Sequence, residues 1–296
     1  MEKIAKELDK ADSSGAFPSG SVQPQAKDTV EKGSGHTLER IGNDAGQGRR
    51  KSKSGRAPAW DERLALGANF STQVAESFRV LRSRILHPHD GRQVCKTVMI
   101  TSVLPQEGKS FVSANLAIAM AQGVDQRCLL VDCDLRLPSV SRLFGIPQDQ
   151  GLADYLLKRR ELGDLFQRTS LEKLMILPSG MPPPNPAELL GSKRMEDLIT
   201  ELRARYPDRF VLFDTPPHMV ASETAVLSKL IDGVVLVVRH GGSGNLSIQK
   251  TAEDLGREKI IGVIFNGYES NVISSRLLYR DEYFYGDYYR PKGVRG

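Results

Sequence analysis

TVMITSVLPQEGKSFVSANLA, residues 97–117, decides the fold. Its first part, TVMITSV, is a short continuous apolar run of the kind that becomes a strand covered on both faces. Its last part begins SANLAIAMAQG, which reads as a helix. Between them Gly108-Lys109-Ser110 stands where a phosphate-binding loop belongs, after a strand and at the opening of a helix. Backbone N–H groups of such a turn and the positive end of the helix attract phosphate oxygens. Lys109 then reaches the β- and γ-phosphates of a nucleotide, and the Ser110 hydroxyl ligates Mg²⁺. The regular pattern G-x-x-x-x-G-K-[ST] places a glycine six residues before the lysine, and Val103 stands there instead.

Two further apolar runs supply carboxylates. CLLVDCDLRLP carries Asp132 and Asp134 two residues apart, a spacing that puts both on one face of a strand. FVLFDTPP delivers Asp214 at the end of another strand, stopped by Thr-Pro-Pro. Three carboxylates at carboxyl ends of neighbouring strands, beside Lys109 and Ser110, predict a Mg²⁺-nucleotide site, with some ligands acting through water.

Working outward, LMILPSG, VVLVVRH and IIGVIFNGY add three strands, and RMEDLITELRARY adds a helix. The alternation predicts an α/β P-loop NTPase fold, a mostly parallel β-sheet with helices on both faces. Upstream, STQVAESFRVLRSRI reads as an amphipathic helix capped by Ser71 or Thr72, with Val74, Phe78, Leu81 and Ile85 as its apolar stripe. Residues 12–56 are rich in Gly, Ser, Gln and charge and cannot bury enough surface to offset ordering entropy. They predict a disordered linker, preceded by a short helix through Ile4, Leu8 and Ala11. The organisation is thus a mostly disordered extension over 1–59, a nucleotide-binding domain over 60–272, and a flexible tail over 273–296.

That tail holds five of the eight tyrosines (Tyr279, Tyr283, Tyr285, Tyr288 and Tyr289), alternating with charges and matching neither a helical nor a strand period. The net charge of +5 invites an anionic partner without requiring one. The basic run Arg49–Arg56 suits anionic lipid or a solvated linker; it lacks the interleaved aromatics of a nucleic-acid stacking surface, so no specific nucleic-acid partner is expected. Cys95, Cys128 and Cys133 have no metal-type spacing and read as reduced thiols. There is no apolar run of membrane-spanning length and no signal-peptide centre, so a cytoplasmic location is expected, with any membrane association supplied by a partner.

Together these residues resemble the bacterial tyrosine kinases of capsule and exopolysaccharide synthesis, of the stand-alone cytoplasmic type. The family's P-G-E-G-K-S loop corresponds to Pro105-Gln106-Glu107-Gly108-Lys109-Ser110, its D-x-D-x-R to Asp132 through Arg136, and its D-[ST]-P-P to Asp214 through Pro217. Its E-x-x-R-x-x-R helix corresponds to Glu76, Arg79 and Arg82. The resemblance covers residues 60–296 and departs at Gln106, where the family has glycine; a left-handed backbone there would cost about 1 kcal/mol. It implies ATP and Mg²⁺ as cofactors, nucleotide contacts from Pro105 through Phe111, and Mg²⁺ held by Ser110, Asp134 and Asp214. It implies Lys109, Asp132 and Asp134 as catalytic, with Asp132 accepting the tyrosine proton. Asn266 is placed where relatives contact adenine, although a turn-forming asparagine is nearly as compatible. The tail is then the substrate, phosphorylated by a neighbouring subunit of a ring joined through Glu76, Arg79 and Arg82. The implied partners are other copies of the chain in the unphosphorylated state, a membrane adaptor of the chain-length-determinant type, and a tyrosine phosphatase, at the inner face of the membrane. The competing reading is a positioning ATPase of the ParA/MinD type; that group carries a second lysine at the loop start, where this chain has Val103 and Leu104.

Overall fold

Alternate residues of each apolar run face opposite ways, so a run without polar breaks must be covered on both sides. The computed structural model describes residues 60–62, 64, 73–88, 91, 93–205 and 209–267. Residues 1–59, including the expected first helix, linker and basic run, the caps at Ser71 and Thr72, and the tyrosine tail lie outside the described residues. Seven strands form one sheet: β1 (Thr97–Ser102), β2 (Arg127–Asp132), β3 (Gln167–Arg168), β4 (Leu174–Leu177), β5 (Arg209–Asp214), β6 (Gly233–Arg239) and β7 (Ile260–Asn266). Their order is β3-β4-β2-β5-β1-β6-β7. Every neighbouring pair is parallel except β3 with β4. All six strands read from the sequence are present. The two-residue β3 is too short to carry a pattern.

On one face Leu129, Val131, Met175, Val211 and Phe213 pack under α4 (Leu152–Leu156), α5 (Pro186–Leu190), α6 (Lys193–Arg205) and α7 (Glu223–Leu230). On the other, Cys128, Leu130, Ile176, Phe210, Leu212 and Val235 pack under α1 (Gln73–Leu86), α2 (Lys109–Ala121) and α3 (Val140–Phe144). A last helix, α8 (Asn245–Leu255), follows β6. The edge strand β7 departs from the expected full coverage, since Val263 and Phe265 are exposed. Among the described residues no helix is long and apolar enough to cross a membrane.

α2 is buried along nearly its whole length, and α1 lies against it. Phe78 meets Phe111 edge-on at 6.3 Å, and Arg82 donates from Nη1 to the Ala119 carbonyl at 2.7 Å. Phe78, Leu81 and Ile85 are the expected packing residues, but Val74 is exposed and Ala75 is the buried one in that turn.

Candidate active site

The carboxyl ends of β1, β2 and β5 converge because these strands are adjacent and parallel. Asp132 and Asp214 stand opposite each other in the β2–β5 register. Asp134 is not on the strand with Asp132, as the two-residue spacing suggested, because β2 ends at Asp132. It sits in the loop beyond, where Asp134 Oδ2 meets Lys109 Nζ at 2.8 Å. Lys109 Nζ also lies 3.5 Å from Asp214 Oδ2 and donates to Ser110 Oγ at 3.0 Å. The Ser113 hydroxyl is 2.9 Å from the Lys109 carbonyl and 3.0 Å from Asp214 Oδ1, so its single proton serves one of them at a time.

Backbone donors fix the other carboxylates. Asp132 Oδ1 accepts from Asp134 N–H at 3.1 Å and Oδ2 from Val140 N–H at 3.2 Å, while Asp134 Oδ1 accepts from Leu137 N–H at 3.1 Å. Asp132 and Asp214 are fully buried. Burial, reinforced by Asp214, pushes the Asp132 carboxyl up to about 8. Burial likewise raises the Asp214 carboxyl, against the pull of Lys109 and of the Ser110 and Ser113 hydroxyls. For Lys109, burial alone favours the neutral amine, but Asp214, Asp134 and Asp132 outweigh it and keep the ammonium charged.

The loop itself is braced by two residues whose structural roles are not apparent from a binding motif. Glu107 is buried; Oε2 accepts from Leu104 N–H at 2.9 Å and Oε1 from Ser243 Oγ at 2.7 Å, tying the loop to the turn after β6. Asn266 donates from Nδ2 to the Glu107 carbonyl at 2.9 Å and accepts from Gly267 N–H. Gly108, with φ of 92°, opens α2, and a Cβ there would lie 1.9 Å from Asn266 Nδ2. Only glycine fits. Gln106 does adopt the left-handed backbone that its family glycine suggested, with φ of 64° and its side chain exposed. Pro105 is exposed and Ser110 half-buried, and the Phe111 ring is spent on packing against Phe78. Replacing Glu107 by alanine should strand the Leu104 and Ser243 donors and cost about 2 kcal/mol, lowering Tm by about 5 °C in a thermal melt.

Among the described residues no three His, Cys, Asp or Glu side chains sit at metal-ligand spacing. Mg²⁺ needs only one or two carboxylates beside phosphates and water. The donor set fits it: Asp214 Oδ2 is buried and accepts no hydrogen bond, Lys109 being a charge partner at 3.5 Å, and Ser110 and Asp134 both contact the same Lys109 Nζ. The helix opening, left-handed Gly108 and Lys109 fit a nucleotide phosphate for the same local reasons.

Elsewhere, Arg136 at the β2 loop pairs with Glu223 at the start of α7. Glu76 and Arg79 pair with each other on α1, whereas Arg82 turns to α2 rather than sharing their outward face. His218 pairs with Asp254 at 3.0 Å, in keeping with a structural role.

Comparison with known proteins agrees with this geometry. Residues 98–282 match the family model of the CobQ/CobB/MinD/ParA nucleotide binding domain. Tyrosine-protein kinase YwqD of Bacillus subtilis (strain 168) is 40% identical over 195 residues, covering 65% of this chain and 81% of that one. Tyrosine-protein kinase CpsD of Streptococcus agalactiae is 32% identical over 219 residues, covering 73% and 89%. The solved kinase domain of Escherichia coli tyrosine kinase ETK superposes with a TM-score of 0.66 at 30% identity, covering 76% of this chain and 85% of that one. With a phosphate loop, facing aspartates and kinase relatives matched over most of their length, this chain belongs to the bacterial tyrosine-protein kinase family, within the CobQ/CobB/MinD/ParA nucleotide-binding group.

Proposed function

We propose that the chain is an ATP-dependent tyrosine autokinase that phosphorylates the C-terminal cluster Tyr279, Tyr283, Tyr285, Tyr288 and Tyr289 of a neighbouring copy, in the control of capsule or exopolysaccharide assembly. The observation that carries this reading is the Lys109 ammonium held between Asp134 and Asp214, with Asp132 beside them and pushed up to about 8. Positive charge from the Mg²⁺ that Asp134 and Asp214 would hold would lower that carboxyl and leave Asp132 ionised to take a phenolic proton.

The tyrosine oxygen attacks the γ-phosphorus of ATP. A phosphorus–oxygen bond forms, the bond from Pγ to the ADP oxygen breaks, and the phenolic proton passes to Asp132. Each Asp132 oxygen accepts one backbone N–H and keeps a further lone pair for that proton. Lys109 holds the transferring phosphoryl group, and backbone N–H groups from Gln106 through Phe111 orient the phosphates. Ser110, Asp134 and Asp214 would hold Mg²⁺, which supplies neutralisation of phosphate charge when bound. Asn266 serves as the brace of the loop, a role its contact with Glu107 supports better than base recognition.

A membrane adaptor would bring this chain to the inner face of the membrane, and a tyrosine phosphatase would reset it. Self-association through α1 would present each tail to the next copy. Arg79→Glu is the cleaner test of that face, because Arg82→Glu would also set a carboxylate against the Ala119 carbonyl at the end of α2. The expected outcome is a shift from oligomer to monomer in sedimentation velocity, with tail phosphorylation reduced about tenfold.

The reading is tested by incubating the chain and its adaptor with ATP and Mg²⁺, beside a chain ending at residue 278. Phosphotyrosine on the full chain and little on the shortened one is the expected result. ATP hydrolysis without phosphotyrosine in either would favour the positioning-ATPase alternative.

A further inference from the structure

We propose that Arg136 and Glu223 form a brace that holds the loop after β2 and the loop after β5 at the spacing their carboxylates need to take a divalent cation; this rests on the phosphoryl-transfer reading of the site. Glu223 is the first residue of α7 and is buried, at 2% exposure, while the Arg136 side chain is 44% exposed. Arg136 Nε donates to Glu223 Oε1 at 2.8 Å and Nη2 lies 3.4 Å from Oε2, the two-pronged arrangement that a guanidinium makes with a carboxylate. Buried charged side chains are found paired in this way.

What the pair joins gives it a function. Arg136 is two residues beyond Asp134, in the loop whose Leu137 N–H donates to Asp134 Oδ1. Glu223 closes the segment that begins at Asp214 and runs through Thr215-Pro216-Pro217. That segment is anchored from below, where Thr101 and Thr224 hydroxyls donate to the Pro216 carbonyl at 2.8 and 3.1 Å. At strand level the two loops are tied by Cys133 N–H to the Asp214 carbonyl at 2.8 Å. The Arg136–Glu223 pair is a side-chain tie farther out along the same two loops. Asp134 lies between the two ties, and Asp132 and Asp214 stand at the strand-level one, three carboxyl groups around the one ammonium of Lys109. Asp134 on one loop and Asp214 at the start of the other both face Lys109, and the outer tie fixes the spacing at which they do so. Arg136 and Glu223 are therefore positioning residues, acting on Asp134 and Asp214 rather than on the phosphates.

The test is a magnesium titration of N-methylanthraniloyl-ADP binding to the purified full chain, with melts in EDTA and phosphotyrosine occupancy in the native host as second readouts. Arg136→Met and Glu223→Gln are the decisive variants, because bare charge moves them oppositely. Loss of the guanidinium makes the site more negative and would tighten Mg²⁺ by Coulomb attraction; loss of the carboxylate would weaken it. The brace requires both to weaken it. The expected result is a half-saturating Mg²⁺ concentration raised about tenfold in both variants, as for loss of residues that orient metal ligands, with nucleotide binding in EDTA changed less than twofold. Arg136→Lys, which keeps the charge but not the two-pronged fork, should fall between them and the wild type. Opposite shifts in the two variants, no shift, or equal losses with and without Mg²⁺ would overturn the brace. A wild type without phosphotyrosine in its host would overturn the kinase reading instead, and the titration would still judge the brace.

Discussion

Lys109→Ala should lower tail phosphorylation at least about a thousandfold, the largest effect of any single substitution in this chain. The side chain is one of few routes by which positive charge enters a site that is otherwise three carboxylates. Its Nζ is 2.8 Å from Asp134 and 3.5 Å from Asp214, with 8% of the residue exposed. Phosphoryl transfer asks for positioning and charge neutralisation more than covalent work, so loss of this ammonium removes both at once. The variant should still fold. Without the lysine, the neighbouring aspartates can retain protons, since burial already raises Asp132 and Asp214. A melt near the wild-type Tm together with no phosphotyrosine signal is the expected pair of results; phosphorylation within tenfold of wild type would remove Lys109 from the reaction.

Asp132→Asn is the second. Loss of a proton acceptor costs about a hundredfold to ten-thousandfold in kcat, while nucleotide affinity should change only a few-fold, because Asp132 faces its own loop rather than Lys109. The substitution also has a structural cost. Asp134 N–H and Val140 N–H both donate to this carboxylate, and an amide offers only one oxygen, so one donor would face Nδ2 at a cost of about 1–3 kcal/mol.

The pH dependence follows with a definite sign. Folded Asp132 keeps its proton to about 8, whereas the unfolded chain releases it near the ordinary carboxylate value of about 4. The folded state binds more protons across that window, so metal-free stability falls as pH rises from about 4 to 8. Thermal melts in EDTA should show the decline, and Asp132→Asn should flatten it. A wild-type stability rising over the same interval would contradict the burial argument.

The strands were legible because β1, β2, β4, β5, β6 and β7 are continuous apolar runs, and β2 and β5 end on Asp132 and Asp214 while Lys109 follows β1 after the loop 103–108. Asp134 was legible as a site residue but misplaced onto the strand, since a two-residue spacing reads the same whether the strand continues or stops. α3, α4 and α5 span five residues each, too few for a helical period to show. The braces were illegible for another reason. Glu107 with Ser243 and Asn266 with Glu107 join residues 136 and 159 positions apart, and Arg136 with Glu223 joins residues 87 apart. No local pattern encodes such partners; topology brings them together by placing the carboxyl ends of β1, β2, β5, β6 and β7 on one side of the sheet. Arg82 shows the same limit. Its i,i+3 relation to Arg79 suggested a shared outward face, but the packing of α1 on α2 draws it to the Ala119 carbonyl.

The most direct measurement is mass spectrometry of phosphotyrosine on the full chain isolated from its native host, beside Lys109→Ala from the same cells. Phosphate distributed over Tyr279 to Tyr289 in the wild type and absent from the variant is the predicted result. An unmodified tail in cells that are making the polysaccharide, or equal modification in the variant, would contradict the account.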